Sequence, residues 1–575
     1  MTADSNTLAG AFSHFASTAE QVAATRKRNE KAAILGSYFA GLDDDDLVLA
    51  VRFFAGHIFP LWDQRTTNVG GSALLNAIAS VSQARRDDLT GRLVVLGDLG
   101  DLAYEFFASS KDIAGIAASL TLRSIATAFD QFAATGGSRL KTEMLAGLLG
   151  LATPLEARYL VKLLAGDLRI GLKEGSVEDA IAKLRGVRVA DVQWVNMLTG
   201  DIGETALLAR HNRLTEARMR LFHPIRFMLA TPASDLDDVA KQMPEEFFVE
   251  DKFDGIRAQA HLAPGGRKTV TLFSRTLDDI TGTFPDLVAP LGEVLASNPD
   301  SSSGLVFDGE IVPVRDNQIL PFLDLQKRLG RKTLPDALLK QVPVAYVVFD
   351  VLYAEGRVLI KEPLSVRRAV LESLALPDPR VRRTETRRFR GISAIDGEFT
   401  ASRGRGNEGL MVKSPESPYK PGRRGRDWLK IKRALATLDV VVTAVETGNG
   451  RRSHLLSDYT FAVRASETDP TLLNVGKAYS GLTDAELSEL SGWFKRHTIK
   501  EFAQGRVRIV EPRIVLEVTF DLVQASKRHK SGYALRFPRI LRLRPDKPAE
   551  EIDTLKTVER LAAPKLNGPA PPKSE

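Results

Sequence analysis

The stretch Glu250-Asp251-Lys252-Phe253-Asp254-Gly255-Ile256-Arg257 decides how this chain is interpreted. Its lysine follows Phe247-Phe248-Val249, an apolar run that predicts a β-strand, and Gly255 permits a tight turn before Arg257. A lysine amine becomes a nucleophile only when it is deprotonated, and burial beside other cations favours that form. The same residues also suit a surface hairpin whose charges are solvated. Taken alone, the stretch leaves both interpretations open.

Three further charged motifs follow along the chain, each next to a predicted strand. They are Phe307-Asp308-Gly309-Glu310, Glu408-Gly409-Leu410-Met411-Val412-Lys413 and Trp428-Leu429-Lys430-Ile431-Lys432. Because side chains alternate along a strand, Lys430 and Lys432 share a face with Trp428. Two glutamates suit Mg²⁺, and a ring of lysines and arginines suits a triphosphate. The ordered set therefore predicts a nucleotide site rather than the exposed faces of unrelated strands.

The residue pattern predicts a multidomain protein. Residues 1–220 are rich in alanine and leucine and indicate helices, among them one that starts with a capping box at Thr153-Pro154-Leu155-Glu156 and another at Ser176-Val177-Glu178-Asp179. Residues 221–433 alternate predicted strands with helices, which indicates an α+β domain. Residues 434–560 are again β-rich and suit a small barrel, and residues 561–575 form a Pro/Lys-rich flexible tail.

Length and composition exclude several classes of protein. The 575 residues are too many for one core of roughly 150 residues. Ordinary hydrophobic (43%) and charged (26%) fractions exclude a disordered or fibrous chain, and no long apolar run predicts a membrane span. The absence of cysteine excludes disulfides, cysteine nucleophiles and cysteine-ligated zinc, and it suits a reducing cytoplasm. The net charge of +7 permits a nucleic-acid partner without requiring one.

The ordered motifs resemble those of the covalent nucleotidyltransferases, and most closely those of the ATP-dependent DNA ligases. The matching positions are KxDGxR at Lys252–Arg257, SR at Ser274–Arg275, DGE at Asp308–Glu310, FD at Phe349–Asp350, EGxMxK at Glu408–Lys413 and WLKIK at Trp428–Lys432. Residues 325–332 and 535–547 are similar to two further family segments, the second being the closing motif of the carboxy-terminal domain. Residues 25–28 and 167–171 resemble the DNA-binding domain of the three-domain ligases. The resemblance implies an all-α DNA-binding domain, an α+β adenylation domain and a β-barrel OB-fold domain.

The resemblance also implies a role for each site residue. Lys252 would become adenylated, Glu250 would lie beside the adenine and Phe349 would stack on it. Glu310 would contact the ribose and a metal ion, and Glu408 would bind the metal. The remaining nucleotide-binding residues would be Arg257, Arg275, Lys413, Arg424, Lys430 and Lys432. The closing motif, which would neutralise the departing pyrophosphate, contributes Arg539, Arg542, Arg544 and Lys547. The cofactors would be ATP and Mg²⁺ or another divalent cation.

By the same resemblance, the protein would seal 3′-OH/5′-phosphate nicks in duplex DNA through enzyme–lysyl-AMP and DNA-adenylate intermediates. It would act as a monomer that encircles DNA, in the nucleoid of a prokaryotic cytoplasm, during replication, repair or recombination. Two alternatives stay open: an RNA ligase or capping-type nucleotidyltransferase, and a non-catalytic DNA clamp. An NAD-dependent ligase is disfavoured, because that family carries a cysteine zinc module and this chain has no cysteine.

Overall fold

Amphipathic helices build the first part of the chain, as its alanine- and leucine-rich pattern predicts. The computed structural model describes residues 10–110, 115–233, 235–265, 269–301, 303–316, 318–331, 334–432, 436–448, 452–503 and 505–562. The helices of this part are α1 (Phe12–Ala24), α2 (Arg28–Ala40), α3 (Asp44–Phe54), α4 (Gly71–Ser82), α5 (Arg86–Leu96), α6 (Leu99–Ser109), α7 (Leu122–Ala134), α8 (Ser138–Leu149), α9 (Pro154–Leu164), α10 (Glu174–Arg185), α11 (Val189–Thr199) and α12 (Ile202–Arg210).

Local capping explains where two of these helices begin. The predicted capping box is confirmed at α9, where the Thr153 hydroxyl accepts from the Glu156 N–H and the Glu156 carboxylate accepts from the Thr153 N–H. The predicted start of the next helix at Ser176 is wrong, because α10 already begins at Glu174. Gly175 therefore lies inside the first turn of α10.

Two β-sheets form the middle part of the chain. One has the order β1-β12-β11-β2-β10, and the other has the order β4-β3-β5-β7-β8, with β6 paired to β5 and β9 to β7. The strands are β1 (Leu229–Pro232), β2 (Glu246–Lys252), β3 (Ile256–Leu262), β4 (Val270–Ser274), β5 (Leu305–Arg315), β6 (Gln318–Ile319), β7 (Val344–Ala354), β8 (Arg357–Val358), β9 (Val381–Arg383), β10 (Thr386–Arg390), β11 (Gly409–Lys413) and β12 (Arg424–Lys432). The predicted strands of this region are confirmed.

Six helices accompany these sheets: α13 (Leu236–Gln242), α14 (Val288–Ala296), α15 (Phe322–Gln326), α16 (Asp336–Gln341), α17 (Leu364–Ser373) and α18 (Ile395–Gly404), as counted over the described ranges. The main core of this part lies on one face of the larger sheet, where Phe307 and Tyr346 are fully buried against Leu291 of α14 and Leu371 of α17. Other residues of β5 and β7, among them Val306 and Leu352, belong to a second apolar cluster, and the charged residues Asp308 and Glu310 lie on β5 beside them.

Three side chains on one face of β3 hold the backbone of the segment that joins the helical part to the sheets. They are Arg257, Gln259 and His261, and the last two are fully buried. Their backbone partners are the Met228 carbonyl (2.6 Å), the Ile225 N–H (2.8 Å) and carbonyl (3.1 Å), and the Phe222 N–H (3.0 Å). Because buried hydrogen-bonding groups are costly to leave unpaired, this segment is fixed along β3.

The last part of the chain is a strand-rich domain. Its strands are β13 (Thr437–Thr447), β14 (Leu456–Arg464), β15 (Leu472–Ala478), β16 (Thr498–Phe502), β17 (Val507–Val510), β18 (Val515–Thr519), β19 (Leu522–Ala525), β20 (Tyr533–Arg536) and β21 (Arg539–Leu543). The order β15-β14-β13-β17-β16 forms one sheet, in which β18 pairs with both β13 and β21. Helices α19 (Asp484–Arg496) and α20 (Leu555–Ala562) contribute Phe494 and Val558 to its core.

By their contacts, the residues fall into two compact units. One comprises residues 1–82 and 107–433, and the other comprises residues 83–106 and 434–575. The boundaries at 220, 433 and 560 stay predictions. The predicted tail at 561–575 begins within α20, which continues to Ala562, and residues 563–575 lie outside the described residues. Over the described part of the chain, no helix is both long enough and apolar enough to cross a bilayer.

Candidate active site

A cavity of about 180 Å³ opens between the two sheets of the middle part, where the charged motifs meet. Its lining residues are Leu229, Ala230, Glu250, Asp251, Lys252, Phe253, Arg257, Arg275, Glu310, Phe349, Met411, Lys413, Arg424, Trp428 and Lys430. Most of the predicted nucleotide-binding residues are among them, although they come from six separate motifs. The side chain of Lys432 lies outside the part that the structure describes.

Lys252 lies at the end of β2, with its side chain about one-fifth exposed. Its Nζ atom is 2.5 Å from Oε2 of Glu408, and the Glu408 N–H donates to the Lys252 carbonyl at 2.8 Å. The charged group in direct contact with Lys252 is therefore the Glu408 carboxylate. β11 lies between β2 and β12, so the strand that carries Lys430 is not directly beside Lys252. The effect of neighbouring cations on the reactivity of this amine stays a prediction.

The strand register gives Gly409 a specific place between two lysines. Gly409 pairs with Lys252 on one side and with Lys432 on the other. A β-carbon at this glycine would collide with the Ile431 carbonyl and lie 2.9 Å from the Phe399 ring, and its φ of +156° is one that other residues rarely adopt. A larger residue at this position would therefore have to displace β12 or the Phe399 ring.

Gly255 also has a steric role, which differs from the tight turn that the sequence predicts. A β-carbon there would collide with the Ile311 carbonyl and lie 2.8 Å from Cγ of Glu310. Gly255 is absent from the glycines with positive φ in the described residues, so its backbone conformation is one that any residue adopts. The glycine instead lets the Lys252 motif pack directly against the strand that carries Glu310.

Glu310 is the group whose charge the site perturbs most clearly. A small part of Glu310 remains accessible at the cavity. The protein around its carboxyl still removes most of the solvent, and this desolvation raises the pKa of Glu310 to about 8. The cations of Lys252 and Arg257 oppose the shift, and the carboxylates of Asp308 and Glu408 add to it. Burial is therefore the main reason that the Glu310 carboxyl holds its proton, and a cation bound beside it would favour the charged form.

The neighbouring carboxylates of Glu310 and Glu408 fit a divalent cation. Mg²⁺ usually takes one or two protein carboxylates and fills its other positions with water and substrate phosphates. Glu310 and Glu408 provide such a pair, each within electrostatic reach of the other. Among the described residues there is no group of three or more His, Cys, Asp or Glu side chains that could hold a metal by itself. A metal here would therefore share its coordination with a phosphate ligand.

The other end of the cavity combines an ion pair with aromatic rings. Glu250 is buried, and its carboxylate accepts from Nζ of Lys413 at 2.6 Å and from the Thr386 hydroxyl at 2.9 Å. Nζ of Lys413 also lies 4.5 Å from the Phe349 ring centroid and 4.3 Å from that of Trp428. The two rings meet edge to face at 6.3 Å. An apolar shelf beside a fixed carboxylate suits a flat base with an exocyclic amine.

Arg257 takes part in a network of hydrogen bonds inside the protein, in addition to lining the cavity. Its guanidinium donates to both carboxylate oxygens of Asp308, at 3.0 and 2.6 Å, and the Tyr419 hydroxyl donates to the same carboxylate at 2.7 Å. Burial opposes the charge on Arg257, but Asp308 outweighs it and raises the arginine pKa further. The motif gave no indication that Asp308 and Tyr419 would form this network, because their partners depend on strand pairing.

The rim of the cavity is basic. Arg275, just past β4, and Arg424, at the start of β12, are both exposed, and Lys430 is partly buried. Arg424 and Lys430 lie on β12 and Arg275 follows β4, and all three line the same cavity. Such a rim suits the phosphates of a nucleotide whose base lies deeper in the cavity.

The predicted closing motif lies in the second unit, where its charges are paired. Asp439 accepts from Nη1 of Arg544 at 2.8 and 2.9 Å and from Nζ of Lys547 at 2.8 Å. Arg542 donates to Glu517 at 2.6 Å, and Arg539 begins β21 as an exposed residue. The prediction did not include Asp439, which lies about 100 residues upstream on β13. The strand β18 pairs with both β13 and β21, and this pairing brings Asp439 close to Arg544 and Lys547.

Two motifs of the helical part also meet. Lys31, just after the Thr25–Arg28 motif, is buried and donates to the carbonyls of Ile170 (2.5 Å) and Gly171 (3.1 Å) in the second motif. Arg28 itself donates to Asp179 at 2.5 Å. The two segments therefore form one surface of the helical part.

Three family models match this chain in order. The model described as DNA ligase N terminus matches residues 11–182, ATP dependent DNA ligase domain matches residues 227–432, and ATP dependent DNA ligase C terminal region matches residues 452–547. The first covers the helical part, the second the two sheets with the cavity, and the third the strand-rich domain.

Known relatives match over almost the whole length. A probable DNA ligase of Koribacter versatilis is 46% identical over 569 residues, which cover 95% of this chain and 96% of the relative. A DNA ligase of Archaeoglobus fulgidus is 34% identical over 557 residues, covering 96% and 98% of the two chains. Among solved structures, Pmar-Lig_PreS3 has a TM-score of 0.60 over 92% of this chain and 99% of its own, at 17% identity, which supports the fold alone.

Proposed function

The chain belongs to the ATP-dependent DNA ligase family, and on that premise we propose that Lys252 is the residue that becomes adenylated. The enzyme joins nicks in DNA at the expense of ATP, with a divalent metal, through the lysyl-AMP and DNA-adenylate intermediates that are standard for the family. Neither a non-catalytic clamp nor an RNA ligase or capping enzyme accounts for family matches in all three parts of the chain.

In the first step, the lone pair of Lys252 Nζ attacks the α-phosphorus of ATP. A P–N bond forms, the bond from the α-phosphorus to the bridging oxygen breaks, pyrophosphate leaves and the amine loses a proton. In the second step, a 5′-phosphate oxygen at the nick displaces the lysine from AMP. In the third step, the 3′-hydroxyl attacks the 5′-phosphorus and AMP leaves. Each step is a phosphoryl transfer, in which positioning and neutralisation of charge supply most of the catalysis.

The observation that carries this proposal is the position of Lys252 in the cavity. Lys252 lines the same cavity as Phe349 and the basic rim. A nucleotide with its base at Phe349 would place its phosphates toward Arg275, Arg424 and Lys430. Glu250 and Lys413 are fixed to each other at the base end. Glu310 and Glu408 would hold Mg²⁺, which supplies charge neutralisation at the phosphates.

The ion pair of Lys252 and Glu408 gives the resting site a further property. An ammonium ion has no lone pair, so Lys252 must leave this partner and lose its proton before it attacks. Glu408 can release the lysine when its carboxylate turns to a metal ion instead. We therefore propose that the same carboxylate protects the lysine at rest and serves the metal during adenylation.

The closing motif would neutralise the pyrophosphate. Arg544 and Lys547 share the single carboxylate of Asp439, and Arg544 also donates to Asp546. A pyrophosphate offers more charge and more acceptor oxygens than one carboxylate does. We propose that the two cations exchange Asp439 for the β- and γ-phosphates during adenylation and return to it afterwards.

Further features of the biology are also proposals. DNA ligases act on nicked DNA, and we propose that this chain does so as a monomer that encircles the duplex, with its helical part contacting the phosphates. We place the enzyme at the nucleoid of a prokaryotic cytoplasm, since that is where its substrate lies. Light scattering of the protein with and without one nicked duplex tests the stoichiometry: one protein per duplex supports the monomer, and two would overturn it.

Labelling with ATP that carries a labelled α-phosphate tests the assignment of the nucleophile. Wild-type protein should retain the label through denaturing electrophoresis, and Lys252→Ala should retain none, because no neighbouring amine occupies its place. Lys241→Ala, which removes an exposed lysine from α13, serves as the matched control and should label normally. Label on Lys252→Ala would overturn the assignment.

A further inference from the structure

We infer that Gln64, in the helical part, is a positioning residue for the nucleotide site, because it clamps the turn that carries Arg275. The inference rests on the proposed contact between Arg275 and the nucleotide, and it adds a role for the helical part in the first chemical step. It assigns a function to a glutamine that no charged motif contains.

The contact is a two-point clamp by one side-chain amide. Oε1 of Gln64 accepts from the Asp279 N–H at 2.6 Å, and Nε2 donates to the Leu277 carbonyl at 3.1 Å. A primary amide reproduces in this way the donor and acceptor pair of a neighbouring β-strand. Both bonds fall on the turn after β4, two and four residues beyond Arg275.

The clamped turn is tightly ordered and includes an unfavourable backbone conformation. The Ser274 N–H donates to the Asp278 carbonyl and the Leu277 N–H donates to the Ser274 carbonyl, both at 2.8 Å. Leu277 has a φ of +71°, in the left-handed region that non-glycine residues rarely adopt. External bonds to Leu277 and Asp279 therefore help to keep this turn in the one conformation that the cavity requires.

Gln64 itself comes from a loop that is fixed to the helical part. The Leu61 N–H donates to the Gly200 carbonyl at 3.0 Å, and Lys141 donates to the Thr67 carbonyl at 2.6 Å. Between them, Arg65 bridges Asp63 and Asp130 at 2.7 and 2.9 Å. Because both partners of the clamp are rigid, the placement of the helical part is transmitted to Arg275.

The clamp predicts a specific kinetic defect. Without it, the turn samples other conformations and Arg275 spends less time at the cavity rim. Each net hydrogen bond contributes modestly in water, so loss of two should raise the KM for ATP in self-adenylation by roughly three- to tenfold. The amount of adenylate at saturating ATP should not change, since Lys252 and the metal carboxylates are not touched.

A double-mutant cycle tests the inference. Self-adenylation is measured over a range of ATP concentrations for wild type, Gln64→Ala, Arg275→Ala and the double variant. Gln131→Ala, which removes an exposed glutamine from α7, is the matched control, and melting temperatures check folding. We expect a raised KM for each single variant and no further increase in the double variant. Gln64→Glu, which keeps the acceptor for Asp279 and loses the donor to Leu277, should fall between wild type and Gln64→Ala.

Each other outcome has a distinct meaning. A wild-type KM for Gln64→Ala, beside a raised KM for Arg275→Ala, would overturn the inference and leave the proposed function standing. Independent, multiplying effects in the double variant would show that Gln64 does not act through Arg275. A wild-type KM for Arg275→Ala would remove Arg275 from the nucleotide site, and the inference would fall with it.

Discussion

Nζ of Lys252 lies 2.5 Å from Oε2 of Glu408, and the N–H of that glutamate is bonded to the carbonyl of that lysine. The two residues come from motifs 156 positions apart, and the pairing of β2 with β11 brings them together. The contact joins the proposed nucleophile to a proposed metal ligand, so the Lys252 amine already has a partner before ATP binds.

Glu408→Gln should reduce self-adenylation by about 100-fold at saturating ATP and Mg²⁺. The substitution keeps the shape of the side chain and removes the charge that a metal needs. Pre-steady-state labelling measures the rate, and Glu416→Gln, which changes an exposed glutamate nearby in the chain, is the control. An unchanged rate for Glu408→Gln would exclude this carboxylate from the adenylation step.

Glu310 should make the metal-free protein less stable as the pH rises. Its pKa is about 8 in the folded protein and ordinarily 4.5, so the folded state binds the proton more tightly than the unfolded state does. Stability contributed by the protonated group is therefore complete below pH 4.5 and is lost progressively as the pH rises to about 8. Urea unfolding in the presence of EDTA at pH 6 and pH 8.5 measures this loss.

The comparison with Glu310→Gln isolates that contribution. The amide cannot ionise, so the variant should lose less stability than wild type between the two pH values. Equal losses in the two proteins would mean that the Glu310 carboxyl is not the group that titrates.

The sequence predicted those site residues that occupy fixed positions in a motif. It did not predict contacts that form only when distant strands pair. Lys252, Glu310 and Lys413 were identifiable because each lies at a fixed place in a motif beside an apolar strand. The partners of Arg257 were not, since Asp308 and Tyr419 reach it only through the β3–β5 pairing and the packing of a distant loop. Contacts between residues that lie far apart in the sequence could not be predicted for the same reason.

Asp439 and Gln64 illustrate that limit. Neither belongs to a charged motif, and each acts through a partner that the chain meets about 100 or more residues later. The role of Gly255 was misjudged for a related reason: a sequence indicates where a turn is possible, but only the packed neighbour, here the Ile311 carbonyl, shows that space is what the glycine provides.

The closing motif should matter for ATP-driven sealing and not for sealing of a nick that already carries a 5′-adenylate. Arg544→Ala or Lys547→Ala should slow adenylation about 100-fold, because each substitution removes one of the two cations proposed to neutralise the departing pyrophosphate. Sealing of the pre-adenylated nick should stay within about twofold of wild type, since no pyrophosphate leaves in that step. Gel assays of both reactions measure the ratio.

Two further variants make that test specific. Lys252→Ala should also lose only ATP-driven sealing, which validates the pre-adenylated substrate. Lys495→Ala, at the end of α19, should lose neither activity. If Arg544→Ala and Lys547→Ala lost both activities in parallel, these residues would serve DNA binding or folding instead.

Removal of residues 1–220 should preserve self-adenylation at saturating ATP but weaken the binding of nicked DNA, most strongly at low salt, and should make that binding less dependent on salt. The cavity is built wholly from later residues, whereas the helical part supplies phosphate contacts whose strength depends on counterion release. The truncated protein should also show the raised KM for ATP of Gln64→Ala. Fluorescence anisotropy across a salt series provides the measurement, and equal nick binding by both proteins would contradict the expectation.

The most direct test of the account is the location of the AMP group. Wild-type protein is incubated with ATP and Mg²⁺, digested under mildly alkaline conditions and analysed by peptide mass spectrometry. We expect AMP on the peptide that contains Lys252, joined by an acid-labile P–N bond, and we expect it to disappear when pyrophosphate or nicked DNA is added. A persistent AMP group on a different residue, or none on Lys252 in protein that seals nicks, would contradict the account.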